Sequence, residues 1–195
     1  MKRSPAIITV FGSSHPGPGD AHYAEAHALG SALAAKGFVV CTGGYAGVME
    51  AASRGAKEAG GRTIGITAKS FSSRANKWVD EEIRVKTWRQ RLFELVRRGR
   101  GYVACRGGTG TLAELAIVWE MLNKGILHER PIVAMGEFWR PAIECVREAE
   151  GRRVSAPGQA PEALIRIARS PAGAASYLAA HFETNLPGRR RAQTK

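Results

Sequence analysis

The stretch "VACRGGTGTLAELAIVWEML", residues 103–122, decides the fold. A short apolar run ends at Arg106, and Gly107, Gly108, Thr109, Gly110 and Thr111 follow. An almost unbroken apolar helical pattern then begins, with the carboxylate of Glu114 near its start. A strand, a glycine turn and a helix in that order make one unit of a parallel α/β sheet. Glycines carry no Cβ, so the backbone N–H groups of such a turn can approach a ligand closely. The helix that follows offers unpaired N–H groups and the positive end of its dipole, which suits a phosphate. Thr109 and Thr111 add hydroxyl donors. The plainer reading, a tight turn with no ligand, stays open on these residues alone.

The same unit recurs on both sides. Apolar, β-branched runs at 6–11, 38–42, 62–67, 82–87, 101–105 and 131–135 read as strands. Helical patterns cover about 20–36, 47–59, 88–98 and 138–149, and two further helices are expected at about 161–169 and 172–183, packed on the outside. Runs that are apolar throughout indicate a parallel sheet covered on both faces. The chain is therefore read as a doubly wound α/β protein, Rossmann-like, with about six or seven mainly parallel strands. Residues 1–185 form one domain and 186–195 a basic, disordered tail. In such sheets ligands lie beyond the carboxyl ends of the strands. Gly12, Ser13 and Ser14 follow the first strand there, Gly43 and Gly44 the second, and the Gly107–Thr111 loop the fifth.

Composition removes several classes of function. The chain has 195 residues, 44% hydrophobic and 24% charged, which suits a single soluble domain. No apolar run has the length of a membrane span, and the N-terminal stretch reads as a first strand rather than a signal peptide. The three cysteines, Cys41, Cys105 and Cys145, lack C-x-x-C spacing and fit reduced thiols in the cytoplasm. The five histidines are scattered, so no metal site is expected, and there is no P-loop. The pattern Gly108-x-Gly110-x-x-Ala113, with Glu137 as ribose acid, follows too late a strand for a nicotinamide fingerprint. No cofactor is expected. The net charge is +12, with eight basic residues against Glu94 between Arg84 and Arg106. Nucleic-acid binding through that segment is the reading to weigh. It lacks the aromatic interleaving of single-strand platforms, since aromatics are 7% of the chain.

Two charged residues stand apart from the surface. Glu114 admits two readings. Thr111-x-x-Glu114 has the form of a capping box. Yet Glu114 also lies beside Ile117, Val118 and Met121, an apolar setting in which a carboxylate next to a phosphate loop would face a ligand. In "TWRQRLFELVRR" (87–98), Trp88, Leu92, Leu95 and Val96 make the apolar stripe, and Arg91 sits at its edge. An inward arginine requires an anionic partner. Glu114, as a structural ion pair, and a bound phosphate are the candidates.

These residues resemble a known family. "RGGTGTLAE" (106–114) is similar to the P-G-G-x-G-T-x-x-E signature of the LOG ("Lonely Guy") family, cytokinin riboside 5′-monophosphate phosphoribohydrolases, whose wider superfamily long carried a lysine decarboxylase label. "GGYAGVMEAASRGAKEAGG" (43–61) resembles its second glycine region, and "VFGSS" (10–14) its first-strand loop. The resemblance implies hydrolysis of the N-glycosidic bond of a nucleoside 5′-monophosphate, such as AMP, to free base and ribose 5-phosphate. It also implies a homodimer. It puts the catalytic carboxylate at Glu114, and the arginine of the family's M-H-x-R-K motif at Arg91. The departures are specific. Arg106 stands where the signature has Pro, and the upstream motif reads Trp88-Arg89-Gln90-Arg91-Leu92. Glu50 replaces a glycine often found after the Met. "GVMEAASRGA" resembles a neighbouring branch of Rossmann-fold nucleotide-binding proteins that includes molybdenum cofactor carriers. A non-catalytic carrier of a nucleotide or of that cofactor is thus the alternative. No lysine lies in the three loops to anchor pyridoxal phosphate, which sets a decarboxylase aside.

Overall fold

The computed structural model describes residues 4–71, 73–128, 130–151 and 164–184. The basic tail and the segment "SAPGQAP" lie outside the described residues. Seven parallel strands form one sheet in the order β4-β3-β2-β1-β5-β6-β7. In chain order they are β1 (Ile7–Phe11), β2 (Val39–Thr42), β3 (Thr63–Ala68), β4 (Glu81–Val85), β5 (Gly101–Ala104), β6 (Ile132–Met135) and β7 (Ile165–Ala168). The helices are α1 (Ala21–Ala35), α2 (Val48–Glu58), α3 (Trp88–Arg98), α4 (Thr109–Asn123), α5 (Arg140–Gly151) and α6 (Pro171–Thr184).

Side chains alternate across each strand, and this sorts the core into two layers. Ile8, Val10, Val40, Val103 and Val133 point to the side covered by α1, α2 and α6. Phe11, Cys41, Ile66, Tyr102, Ala104 and Ile132 point to the side covered by α3, α4 and α5. Helices cover both faces, which is why the central strands read as continuous apolar runs. Cys41 and Cys105 belong to these layers, and burial pushes the Cys41 thiol up to about 12 and that of Cys105 higher still.

Two expectations are corrected. The segment near 161–169 does not form a helix over its described residues, 164–169. Its described part is the edge strand β7, paired with β6 through Ile132↔Ile165 and Ala134↔Ile167. A four-residue run with its first and last residues buried satisfies either period, and only the open edge of β6 selects the strand. Trp88 does not join the buried stripe of α3. It is 48% exposed, because it is the first residue of a helix that starts past the carboxyl edge of the sheet.

The α1–α2 contact depends on two missing side chains. A Cβ on Gly30 would come within 2.0 Å of the Ala52 carbonyl oxygen, and one on Gly55 within 1.9 Å of that of His27. Backbone cannot yield there without separating the helices. Gly30→Ala is therefore expected to cost about 1–3 kcal/mol, the usual penalty of overpacking. The check is a lower urea midpoint at unchanged m-value.

Candidate functional site

The sheet reverses its winding between β1 and β5, which pair directly through Thr9↔Tyr102 and Phe11↔Ala104. The loops leaving these two strands diverge to opposite faces, and a crevice opens between them. Ser13 ties its walls together. Its N–H donates to the Arg106 carbonyl at 3.2 Å, and its own carbonyl accepts from Val48 N–H at 2.8 Å. The loops after β1 and β5 and the start of α2 thus meet at one residue. Above them lies a cleft of about 790 Å³.

One wall is the start of α4. The helix begins at Thr109 with Gly108 as its N-cap, and no side chain caps it. The first helical bond recorded there is Leu112 N–H to the Gly108 carbonyl, at 3.0 Å. The preceding N–H groups are left for a ligand or solvent. Gly108, Thr109, Gly110 and Thr111 line the cleft, and Cβ atoms on Gly108 or Gly110 would meet nothing within 4 Å. The capping-box reading of Glu114 is corrected here. Because α4 starts at Thr109, Glu114 is its sixth residue and lies past the position from which it would reach back. The reciprocal box exists instead at α3, between Thr87 and Gln90.

Glu114 faces the floor of the cleft with its side chain 14% exposed, and Arg91 Nη1 stands 3.6 Å from its Oε1. That distance is too long for a hydrogen bond, so both groups keep capacity for a ligand. Burial pushes the Glu114 carboxyl up from 4.5 to about 7, against the opposing pull of Arg91. Desolvation likewise lowers the Arg91 pKa, yet a guanidinium starts so high that it stays charged. Arg91 is held on every side. Its Nε donates to the Ile66 carbonyl at 2.9 Å, Nη2 lies 3.6 Å from the Met49 sulfur, and the guanidinium stands 5.3 Å from the Tyr45 ring centroid and 6.0 Å from that of Phe71.

The remaining residues singled out from sequence divide in two. Gly12, Ser13 and Ser14 line the cleft, whereas Gly43, Gly44 and Gly107 do not. These three shape it from behind. A Cβ on Gly43 would fall 1.6 Å from Arg91 Nη2, so only glycine lets the guanidinium lie there. Gly44 adopts a φ of 77° and its carbonyl accepts from Asn76. Gly107 makes room for Thr111. Arg106 turns away from the cleft and stacks on Phe138 at 4.6 Å. The basic segment does not form one patch, since Arg97 and Arg98 both pair with Glu94 while Arg91 is interior.

Sequence reasoning missed the aromatic wall. Tyr45, Phe71 and Trp88 line the cleft with Met49 and Glu50. Tyr45 and Phe71 pack edge to face at 5.8 Å. Asn76 holds the Tyr45 loop by donating to the Gly44 and Tyr45 carbonyls. Tyr45 and Glu50 sit inside the second glycine region, so that region held the signal. Phe71 and Asn76 come from a connection with no motif of its own.

Fold and cleft together define a Rossmann-like α/β protein with a ligand crevice at its topological switch point. Residues 5–157 match the profile of the SLOG cluster4 family. The chain belongs to that family, and so to the LOG group that its glycine signature resembles. A cytokinin riboside 5′-monophosphate phosphoribohydrolase of Rhodococcoides fascians is 29% identical over 154 residues, which is 75% of this chain and 76% of that protein. The enzyme of the same name from Mycobacterium marinum is 34% identical over 113 residues, 56% of this chain and 60% of that protein. Among solved structures, the molybdenum cofactor binding protein of Rippkaea orientalis superposes with a TM-score of 0.73 at 26% identity, over 93% of this chain and 99% of that one. The molybdenum cofactor carrier protein of Chlamydomonas reinhardtii gives 0.72 at 26% identity, over 92% and 99%. Among the described residues no helix is long and apolar enough to cross a membrane.

Proposed function

We propose that this protein is a nucleoside 5′-monophosphate phosphoribohydrolase, acting on AMP or a cytokinin riboside monophosphate, in the cytoplasm and as a homodimer. The observation that carries the reading is the Arg91–Glu114 pair on the floor of the cleft, beside the uncapped start of α4. The 5′-phosphate seats on residues Gly108 to Thr111, with Gly12, Ser13 and Ser14 opposite. The base lies toward Tyr45 and Phe71, and C1′ of the ribose comes to rest over Glu114.

As the C1′–N bond breaks, its electron pair leaves with the base and positive charge develops on the ribose, as in glycoside hydrolysis. The Glu114 carboxylate stabilises that charge and accepts a proton from the attacking water, whose oxygen bonds C1′. The departing base takes up a proton from solvent and Glu114 gives the water's proton back to solvent, so the products are free base and ribose 5-phosphate. Arg91 favours the ionised form of Glu114 against burial and steadies the nucleotide. The phosphate anchor fixes the sugar, so binding far from C1′ serves the reaction there.

The test is incubation with AMP and with an N6-prenylated AMP, followed by assay of free base and ribose 5-phosphate. Release of both products supports the hydrolase. Tight nucleotide binding without release supports the carrier reading, which the likeness to molybdenum cofactor proteins favours. Strongly salt-dependent retention of oligonucleotides would instead revive nucleic-acid binding. Because Glu114 must be ionised to act, kcat/KM is expected to rise with pH along a limb centred at about 7. A profile flat from pH 5.5 to 8.5 counts against a carboxylate in this environment.

A further inference from the structure

Resting on the nucleotide reading above, we infer that Glu50 is a specificity-determining residue: it accepts a hydrogen bond from the ribose 2′-hydroxyl and makes the cleft select ribonucleotides over 2′-deoxyribonucleotides. Glu50 is in the first turn of α2 and lines the same cleft as Glu114. Its neighbour Met49 touches Arg91, which brings the Glu50 backbone close to the ion pair. Tyr23, 5% exposed on α1, donates its hydroxyl to Glu50 Oε1 at 3.4 Å. Among the described residues no Lys or Arg forms an ion pair with Glu50.

Such a carboxylate has an acceptor-only tip, with one oxygen steadied and the other open. In a cleft built for a phosphate it repels the anion, so it must face an uncharged part of the ligand. The aromatic wall offers the base a stacking surface. The sugar lies between base and phosphate, and its hydroxyls are the donors available at that height. A hydrogen bond from a hydroxyl to an ionised carboxylate is the strong, charge-assisted kind. Its loss corresponds to a factor of about 10–100 in binding.

The experiment is calorimetric titration of the whole protein with ribose 5-phosphate and with 2-deoxyribose 5-phosphate, alongside base release from AMP and 2′-deoxy-AMP. The wild type is expected to favour the ribo compound about 10-fold or more, and Glu50→Ala to reduce that ratio to within about 3-fold. Tyr23→Phe keeps the charge but frees the carboxylate, so it is expected to narrow the ratio less, and it carries the test if Glu50→Ala fails to fold. Equal binding of the two sugars by wild type, no binding of either, or an unchanged ratio in the variants overturns the assignment. So does a Glu50→Ala variant that weakens both sugars alike, since that is a structural effect. The two readings fail separately. A Glu50-dependent ratio without base release from AMP sinks the hydrolase alone, whereas base release with a Glu50-independent ratio sinks this assignment alone.

Discussion

Glu114→Gln is expected to lower base release from AMP at pH 8 by about 10³-fold or more while leaving nucleotide affinity within a few-fold, as removal of charge stabilisation at a reacting centre does. Gln keeps the size and a hydrogen-bonding oxygen but has no charge to oppose a ribosyl cation and no base strength toward water. The same change has the opposite effect on stability. In the folded protein the Glu114 carboxyl is raised from 4.5 to about 7, so the folded state binds its proton more tightly than the unfolded chain does. The stabilisation that this proton provides is complete below 4.5 and is lost as pH rises through about 7. Above that range the folded state carries a buried carboxylate at a cost of about 3 kcal/mol relative to its neutral form. Gln removes that cost but leaves the Arg91 guanidinium without its anion, so the stability of the variant relative to wild type is expected to shift in the variant's favour by about 3 kcal/mol between pH 4.5 and pH 8. Urea unfolding at the two pH values checks this. A variant that is active, or a stability difference that does not move between the two pH values, contradicts the role given to the carboxylate.

Arg91→Met is expected to reduce kcat/KM at pH 7 by about 10²–10³-fold, the usual effect of deleting one electrostatic contact in an enclosed site. It should also move the ascending limb of the pH profile upward. Arg91 is the charge that pulls the Glu114 pKa down against burial. Without it the carboxyl stays protonated to higher pH, so part of the lost activity returns in alkaline buffer. The stability signature again depends on pH. Removing one partner of a buried pair costs about 3–5 kcal/mol when the other remains charged. That loss is therefore expected near pH 8, with a smaller one near pH 5, where Glu114 holds its proton. Gly43→Ala reaches the same result indirectly, since its Cβ would occupy the space of Arg91 Nη2. Unshifted pH profiles in both variants would mean that Arg91 and Glu114 act independently.

These predictions rest on residues that were legible to different degrees. Glu114 and Arg91 were visible because each sat at the wrong place in an otherwise regular pattern: an acid in an apolar helix, and an arginine at the edge of an apolar stripe. Whether Glu114 capped the helix or faced a cleft was not legible. That choice turned on α4 starting at Thr109 rather than after Thr111, a matter of three residues in a loop where glycine permits either start. Gly43 looked like a ligand-facing glycine. It lies behind Arg91 instead, since an invitation to close approach does not say which group approaches. Tyr45 and Glu50 lay inside the second glycine region, but nothing local marked Phe71 as their neighbour in one cleft.

By itself the sequence determined the period, and hence the type, of every described segment but the short run Ile165–Ala168, because apolar spacing at two or at 3.6 residues is a property of near neighbours. It also determined that both faces of the sheet are covered, and where chain flexibility concentrates in glycine. Tertiary structure alone decided the strand order. Pairing β1 with β5 joins Ile8 to Gly101 and makes distant loops the two lips of one crevice. It decided too that Arg91, from a helix after β4, comes within 3.6 Å of Glu114, from a helix after β5. Burial there carries Glu114 from an ordinary acid to one that titrates near neutrality. The physical reason is that desolvation depends on everything that surrounds a group, and no one stretch of chain supplies those surroundings.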